Sequence, residues 1–297
     1  MSLAMILIVL IGKFEVEQVF EQSWQCWNFR EIQVEFEART PEERDLPGII
    51  SLLRQCFRGS DEVDLSVLAK FVMKQRSVGS VVTQSPSDST DDEDEDDLGG
   101  TDGEVFGLAT IVRLKDSEVA DQIRRHLNQA VLSTDPRGQL ARILNAPEAD
   151  IGLIISERII NMPPQISVPL YQTLSNEVKK AKAKNLPFNF THYAIISKVL
   201  TAPEAGQAGI MYSNAEEEVF VPECDFVLDM KNHDDESRIV TLSQEDFLET
   251  KRLMVFKADN LDKIVGIVKN AFPISWTRST HQKLLRIQIQ IFCHSLF

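Results

Sequence analysis

Ile151-Gly152-Leu153-Ile154-Ile155 is followed by the breaker Asn161-Met162-Pro163-Pro164 and then by Ile166, Leu170, Leu174 and Val178. The first run is apolar without alternation, as expected of a central strand covered on both faces. The spacing of four in the last set predicts a long helix, with proline tolerated in its first turn. Its Lys-rich end complements the negative pole of a helix dipole. A doubly covered strand followed at once by a long helix points to a sheet with helices on its faces.

Working outward, the same logic places further elements. Ile32 to Glu37 alternates apolar and polar residues, the pattern of a half-buried strand. Asp45-Leu46-Pro47-Gly48 opens a helix carrying Ile49, Leu52, Leu53 and Phe57, and Asp64 caps a second with Leu65, Leu68, Val72 and Met73 on one face. Val78 to Val82 and Val105 to Leu114 read as strands. Glu118 to Leu132 is an amphipathic helix, and Pro136 starts a shorter one ending near Asn145. Tyr193 to Leu200, Phe226 to Leu228 and Leu253 to Phe256 are strands, and Leu261 to Phe272 is a last helix. The expected fold class is α/β (α+β): a central mixed sheet flanked by helices. Beyond Pro273 the composition shifts to a segment without Asp or Glu, in which Leu285 to Ile291 alternates as a lone strand.

The 297-residue chain is 43% hydrophobic and 26% charged, so it can bury a sizeable core unaided. Its net charge of -14 opposes direct binding to nucleic acid or an anionic membrane and makes basic proteins the natural partners. Four scattered cysteines, Cys26, Cys56, Cys224 and Cys293, share no CxxC spacing, consistent with a reducing compartment. Leu3 to Ile11 is apolar but too short for a membrane span, and no Lys or Arg precedes it as in a secretory leader.

The charge is concentrated in Asp91-Asp92-Glu93-Asp94-Glu95-Asp96-Asp97, within a Ser-, Asp- and Gly-rich stretch from Ser85 to Gly103. Seven adjacent carboxylates cannot be buried, because each would need a partner or a large pKa shift. A disordered loop projecting from the domain is expected. It is either a solvated spacer or a capture element for a basic partner. Ser89 and Thr90 each have an acidic residue three positions on, which suits phosphorylation by an acid-directed kinase.

Signatures of catalysis are sparse. The sequence has no Walker A loop, no nucleophile elbow, no HExxH and no kinase motif set. His126, His192, His233, His281 and His294 lack zinc-site spacing apart from the adjacent Cys293-His294 pair, so no metal site and no catalytic residue is assigned. Arg76-Ser77-Val78-Gly79-Ser80-Val81 partly resembles the acyl-coenzyme A loop of the GCN5-related acetyltransferases. There a small final residue lets backbone N–H groups approach a pyrophosphate, whereas here that position is Val81. No cofactor is expected. A second acidic cluster, Asn214-Ala215-Glu216-Glu217-Glu218-Val219-Phe220, sets carboxylates beside an aromatic ring. Glu216, Glu217, Glu218 and Phe220 are candidates for a docking surface for a Lys- or Arg-rich segment. The alternative is a core phenylalanine beside a solvated acidic edge.

Ile155-Ser-Glu-Arg-Ile-Ile-Asn-Met-Pro-Pro-Gln-Ile-Ser-Val-Pro-Leu-Tyr171, read with Asn214 to Phe220, resembles the BCCIP family. Val78 to Val82, Glu104-Val-Phe-Gly107 and Tyr193 to Lys198 support the likeness in order and spacing. The resemblance covers about residues 31–272 and sets that stretch apart as a single domain with the acidic loop 85–103 inside it. Residues 1–30 and 273–297 lie outside the family pattern. Residues 31–272 carry 26 basic and 42 acidic side chains, a net -16.

The resemblance implies a largely nuclear, partly cytoplasmic adaptor or chaperone that is not an enzyme. The family is named for binding a breast-cancer susceptibility protein and a cyclin-dependent-kinase inhibitor. Its fungal members escort a basic ribosomal protein, with roles in large-subunit biogenesis and nuclear export. It also implies a fold similar to the GCN5-related acetyltransferases without the cofactor loop. An acyl-coenzyme A-dependent N-acyltransferase is the alternative on the same fold.

Overall fold

The computed structural model describes residues 30–84, 104–131, 135, 138–159, 162–202, 209–231, 238–242, 245–273 and 284–291. The acidic run Asp91 to Asp97 and the candidate sites Ser89 and Thr90 lie outside them.

The strands are β1 (Arg30–Arg39), β2 (Ser80–Gln84), β3 (Val105–Arg113), β4 (Ile151–Arg158), β5 (His192–Thr201), β6 (Ile210–Tyr212), β7 (Phe226–Met230), β8 (Arg238–Leu242), β9 (Glu245–Lys257) and β10 (Leu284–Ile291). The helices are α1 (Leu46–Cys56), α2 (Leu65–Lys74), α3 (Glu118–Val131), α4 (Gln139–Asn145), α5 (Ser167–Ala183) and α6 (Leu261–Ala271). The ten strands of the described residues join one mixed sheet in the order β10-β1-β2-β3-β4-β5-β9-β7, with β6 added to β5 and β8 to β9. The α+β class read from the sequence is the observed one.

Residue parity distributes the core. Along β4, Leu153 and Ile155 face one side of the sheet with Leu52, Leu68, Ile123 and Leu140 from α1, α2, α3 and α4. Ile154 faces the other side with Leu174 and Val178 of α5 and Ile264 of α6. Burial is continuous from Ile151 to Arg158, which is why the sequence shows no alternation there.

Local chemistry sets the helix starts. Asp64 Oδ1 accepts from the backbone N–H groups of Ser66 and Val67 at 2.9 and 3.1 Å, capping α2 as expected. The shorter helix is described from Gln139, where the Asp135 carboxylate takes the Gln139 and Leu140 N–H groups at 2.8 and 2.9 Å; its expected start at Pro136 lies outside the described residues. Asp45 precedes α1, and its buried carboxylate is held by Arg39 through two bonds of 2.7 and 2.8 Å. That bidentate pair ties the end of β1 to the start of α1.

Two strands differ from the sequence reading. The strand expected at Val78 begins at Ser80, because Gly79 adopts a left-handed φ of 133° that ends the preceding turn. The alternating segment after Pro273 is not a lone strand: β10 pairs antiparallel with β1, from Arg30 opposite Ile291 to Glu37 opposite Leu284. Backbone pairing needs only a free edge, so a segment outside the family pattern still extends the same sheet.

Candidate functional site

The site grows from the one parallel strand pair among the described residues. β4 and β5 run side by side from Ile151 opposite His192 to Ile154 opposite Ile195 and then pair no further. Beyond that point β5 keeps β9 on one edge as far as Thr201. Its other edge, freed by β4, takes β6 at Val199 to Thr201. A crevice past the C-terminal ends of parallel strands is where open sheets commonly bind ligands. Here β6 and the 3-10 segment Ala215–Glu223, which packs against it, contribute side chains to that crevice.

Strand parity splits the crevice into two ionic groups. On the α1 side, Lys198 Nζ contacts Glu157 Oε2 at 2.6 Å and Gln55 Oε1 at 3.1 Å. Burial raises the Glu157 pKa, and the Lys198 charge opposes the shift. Nearby Lys251 donates to the Arg58 carbonyl at 2.9 Å, and burial lowers its pKa. Burial also pushes the Cys56 thiol far above its usual range, so it is no nucleophile.

On the α5 side, the Arg158 guanidinium makes a bidentate pair with Glu216, with Nη2 to Oε2 at 2.8 Å. Burial is the largest single influence and opposes the arginine's charge, but the Glu216 bond together with the charges of Glu216 and Glu217 outweighs it, so its pKa rises. Glu217 lies beside them, and Asn214 Nδ2 donates to its Oε1 at 2.8 Å. Burial first and the charge of Glu216 second lift the Glu217 pKa to about 8. Phe220 completes the group, with its ring 5.3 Å from Tyr171 and 6.1 Å from Phe256 in edge-on contacts. At the far end of the segment Glu223 is held by Lys263 at 2.8 Å and by Asn260 on its carbonyl at 3.1 Å.

These positions correct the reading of an acidic docking surface. Glu216 and Phe220 are 0% exposed and Glu217 is 1% exposed. Only Glu218 of the four candidates faces solvent. The 3-10 turn buries Glu216 and Glu217 and leaves Glu218 in solvent; the buried Arg158 of β4 compensates Glu216, and Asn214 donates to Glu217. Outward-facing apolar residues nearby are Met211 of β6 and Val221 of the segment, 43% and 37% exposed. The expectation of a core Phe220 matches the structure; the solvated edge beside it does not.

The sequence reading missed Glu157, Arg158, Lys198 and Lys251. One signal was present: Ser156-Glu157-Arg158 continues an apolar run directly, and charged residues inside a doubly covered strand must be paired.

The region resembling an acyl-coenzyme A loop is occupied from within. The Gly79 N–H donates to Glu177 Oε2 of α5 at 2.9 Å. A Cβ at Gly79 would stand 2.7 Å from Thr110 Oγ1, so glycine serves close packing at this turn. A carboxylate on that amide would repel a pyrophosphate. Among the described residues, no group of three or more His, Cys, Asp or Glu is placed to hold a metal ion, and no helix is long and apolar enough to cross a membrane.

The Glu217 pKa makes a prediction. Its carboxyl is neutral in the folded protein at pH values where it ionises in the unfolded chain. The stabilisation is therefore complete below the unfolded value, about 4.3, and is lost as pH rises through about 8. Glu217→Gln keeps the acceptor for Asn214 and removes the titration. The variant should match the parent near pH 4 and exceed it near pH 8 by on the order of 4–5 kcal/mol. Thermal unfolding across that range checks it. Glu157 titrates in both proteins, so the difference between them isolates Glu217, and parallel profiles would refute its neutral state.

With the geometry in place, the chain can be compared with known proteins. A sequence model described as BCCIP matches residues 31–246. The chain belongs to the BCCIP family. It is 31% identical over 251 residues to "Protein BCCIP homolog" of Drosophila melanogaster, covering 80% of this chain and 84% of that protein. It is 34% identical over 210 residues to "BRCA2 and CDKN1A-interacting protein" of Mus musculus, covering 64% of each. "Protein bcp1" of Emericella nidulans is 31% identical over 179 residues, covering 59% of this chain and 57% of that one. The match thus spans most of the fly relative and less than two thirds of the other two. Among solved structures, BCP1 from Saccharomyces cerevisiae superposes with a TM-score of 0.55 at 19% identity, covering 88% of this chain and 97% of that one. That likeness concerns the BCCIP fold alone.

Proposed function

We propose that this BCCIP-family chain is a non-enzymatic nuclear adaptor or chaperone, partly cytoplasmic, that binds basic protein partners. The family names support partner binding in general, since the mouse relative is named for its interaction with BRCA2 and CDKN1A. The observation that carries the basic character of the partner is charge: residues 31–272 hold 26 basic against 42 acidic side chains, with seven of the latter adjacent at Asp91 to Asp97. Exposed charges of this kind act mainly on association rate and are screened within about 8–10 Å at ordinary salt. The processes served would be large ribosomal subunit biogenesis and nuclear export, genome maintenance and cell-cycle control, or both sets. The acyltransferase alternative is disfavoured by Glu177 on the Gly79 amide and by the ion pairs in the β4–β5 crevice.

The test is a pull-down from nuclear extract at two salt concentrations, with partners identified by mass and then measured as purified proteins. Neutralising Asp91 to Asp97 to Asn and Ser should slow association several-fold at low salt and leave Tm unchanged. Glu at Ser89 and Thr90 should speed it. An on-rate indifferent to both changes removes the loop from the mechanism. A thermal shift with acetyl-coenzyme A would favour the enzyme instead.

A further inference from the structure

Among the described residues β8 pairs with β9 and no other strand, from Arg238 opposite Glu249 to Leu242 opposite Glu245. β8 follows β7 along the same edge of β9, because β5 occupies the other edge. Among the described residues, its outward backbone N–H and C=O groups therefore face no further strand and form a margin of the sheet. The side chains of this ribbon are apolar on both faces. Ile239 stands opposite Leu248 and Val240 opposite Phe247, so each pair shares one face. Ile239 is 64% exposed, the most exposed of the large apolar side chains among the described residues. Val240, Phe247 and Leu248 are only half-buried.

Soluble proteins usually blunt such an edge with Lys, Pro or a bulge. Arg238-Ile239-Val240-Thr241-Leu242 has neither Lys nor Pro and is rich in β-branched residues. On the β9 limb opposite it, Glu249 is ion-paired with Arg58 at 3.8 Å, which leaves Asp246 as the acidic side chain presented beside Ile239 and Val240. Asp246 is exposed and accepts a 2.6 Å bond from Thr241 Oγ1. An apolar edge with the exposed Asp246 carboxylate beside it, on a domain of net charge -16, is complementary to an extended segment that alternates apolar residues with Lys or Arg.

We infer that the outer edge of β8 binds a basic partner by strand addition, with Ile239 packing against the partner's apolar side chains. Main-chain hydrogen bonds supply affinity in this mode, and alternate side chains supply selectivity. The inference rests on the proposed preference for basic partners and names the surface that would serve it. Buried Glu216 and Glu217 cannot.

The test uses the full chain and two synthetic peptides of equal charge and length. One alternates Lys with Val; the other keeps every Lys and replaces every second Val by Pro. The alternating peptide should bind and slow amide hydrogen exchange across residues 238–242. Ile239→Lys, at a solvent-facing position, should weaken it at least tenfold without lowering Tm. Equal binding of both peptides that survives Ile239→Lys would overturn strand addition while leaving a basic partner in place. Binding of neither peptide, while a purified basic partner still binds in a manner dependent on Asp91 to Asp97, would overturn this surface alone. Loss of both would overturn the two readings together. Self-association abolished by Ile239→Lys would assign the edge to a second copy of the chain and overturn the inference.

Discussion

Replacing Arg158 with Ala should destabilise the protein by about 3–5 kcal/mol, because it strands the Glu216 carboxylate in the sheet–helix interface without its cation. For a domain of this size a loss of 1 kcal/mol lowers Tm by roughly 2–4 °C, so thermal unfolding should show a drop of about 6–20 °C. The cost arises from the unpaired charge, not from the value of the ion pair. Removing both partners, as Arg158→Met with Glu216→Met, should therefore recover most of the loss. A single substitution costing under about 1 kcal/mol would mean that water reaches Glu216, and the crevice would not be closed.

Phe220→Ala should cost about 3–5 kcal/mol as well, by a different route. Its ring is wholly buried between Tyr171 and Phe256, and truncation leaves a cavity that those rigid rings cannot fill. Phe220→Leu should cost less, since it keeps much of the volume. Chemical denaturation of the three proteins gives the ranking. The result also separates the two roles of this segment. A surface anchor would lose partner affinity and keep its stability, whereas a core ring does the reverse. An unchanged midpoint would contradict the burial found here.

The two substitutions test one idea from opposite sides of the segment. Arg158 comes from β4, Phe220 packs onto α5 and β9, and Glu223 is tied to α6 by Lys263. The segment Ala215–Glu223 is therefore an integral wall of the α5-side core, with Glu218 and Val221 left facing solvent beside Met211 of β6.

Much of this architecture was legible in the chain. The apolar run at Ile151, the spacing of four along α5, the Asp64 cap and the alternation in β1 are consequences of residues within one turn or one pleat of each other. So is the acidic balance, which needs only counting. What the sequence could not determine was the fate of the Glu216-Glu217-Glu218 run. Whether a carboxylate is buried depends on a compensating group, and for Glu216 that group lies 58 residues away at the end of β4. The end of parallel pairing at Ile154 and Ile195 opens the crevice, and the packing of the 215–223 segment against β6 and α6 lines it with ion pairs. Neither leaves a local periodicity. The sequence determined which residues could face a core; only the tertiary structure decided which charges joined them there, because desolvation and its compensation are properties of the assembled sheet.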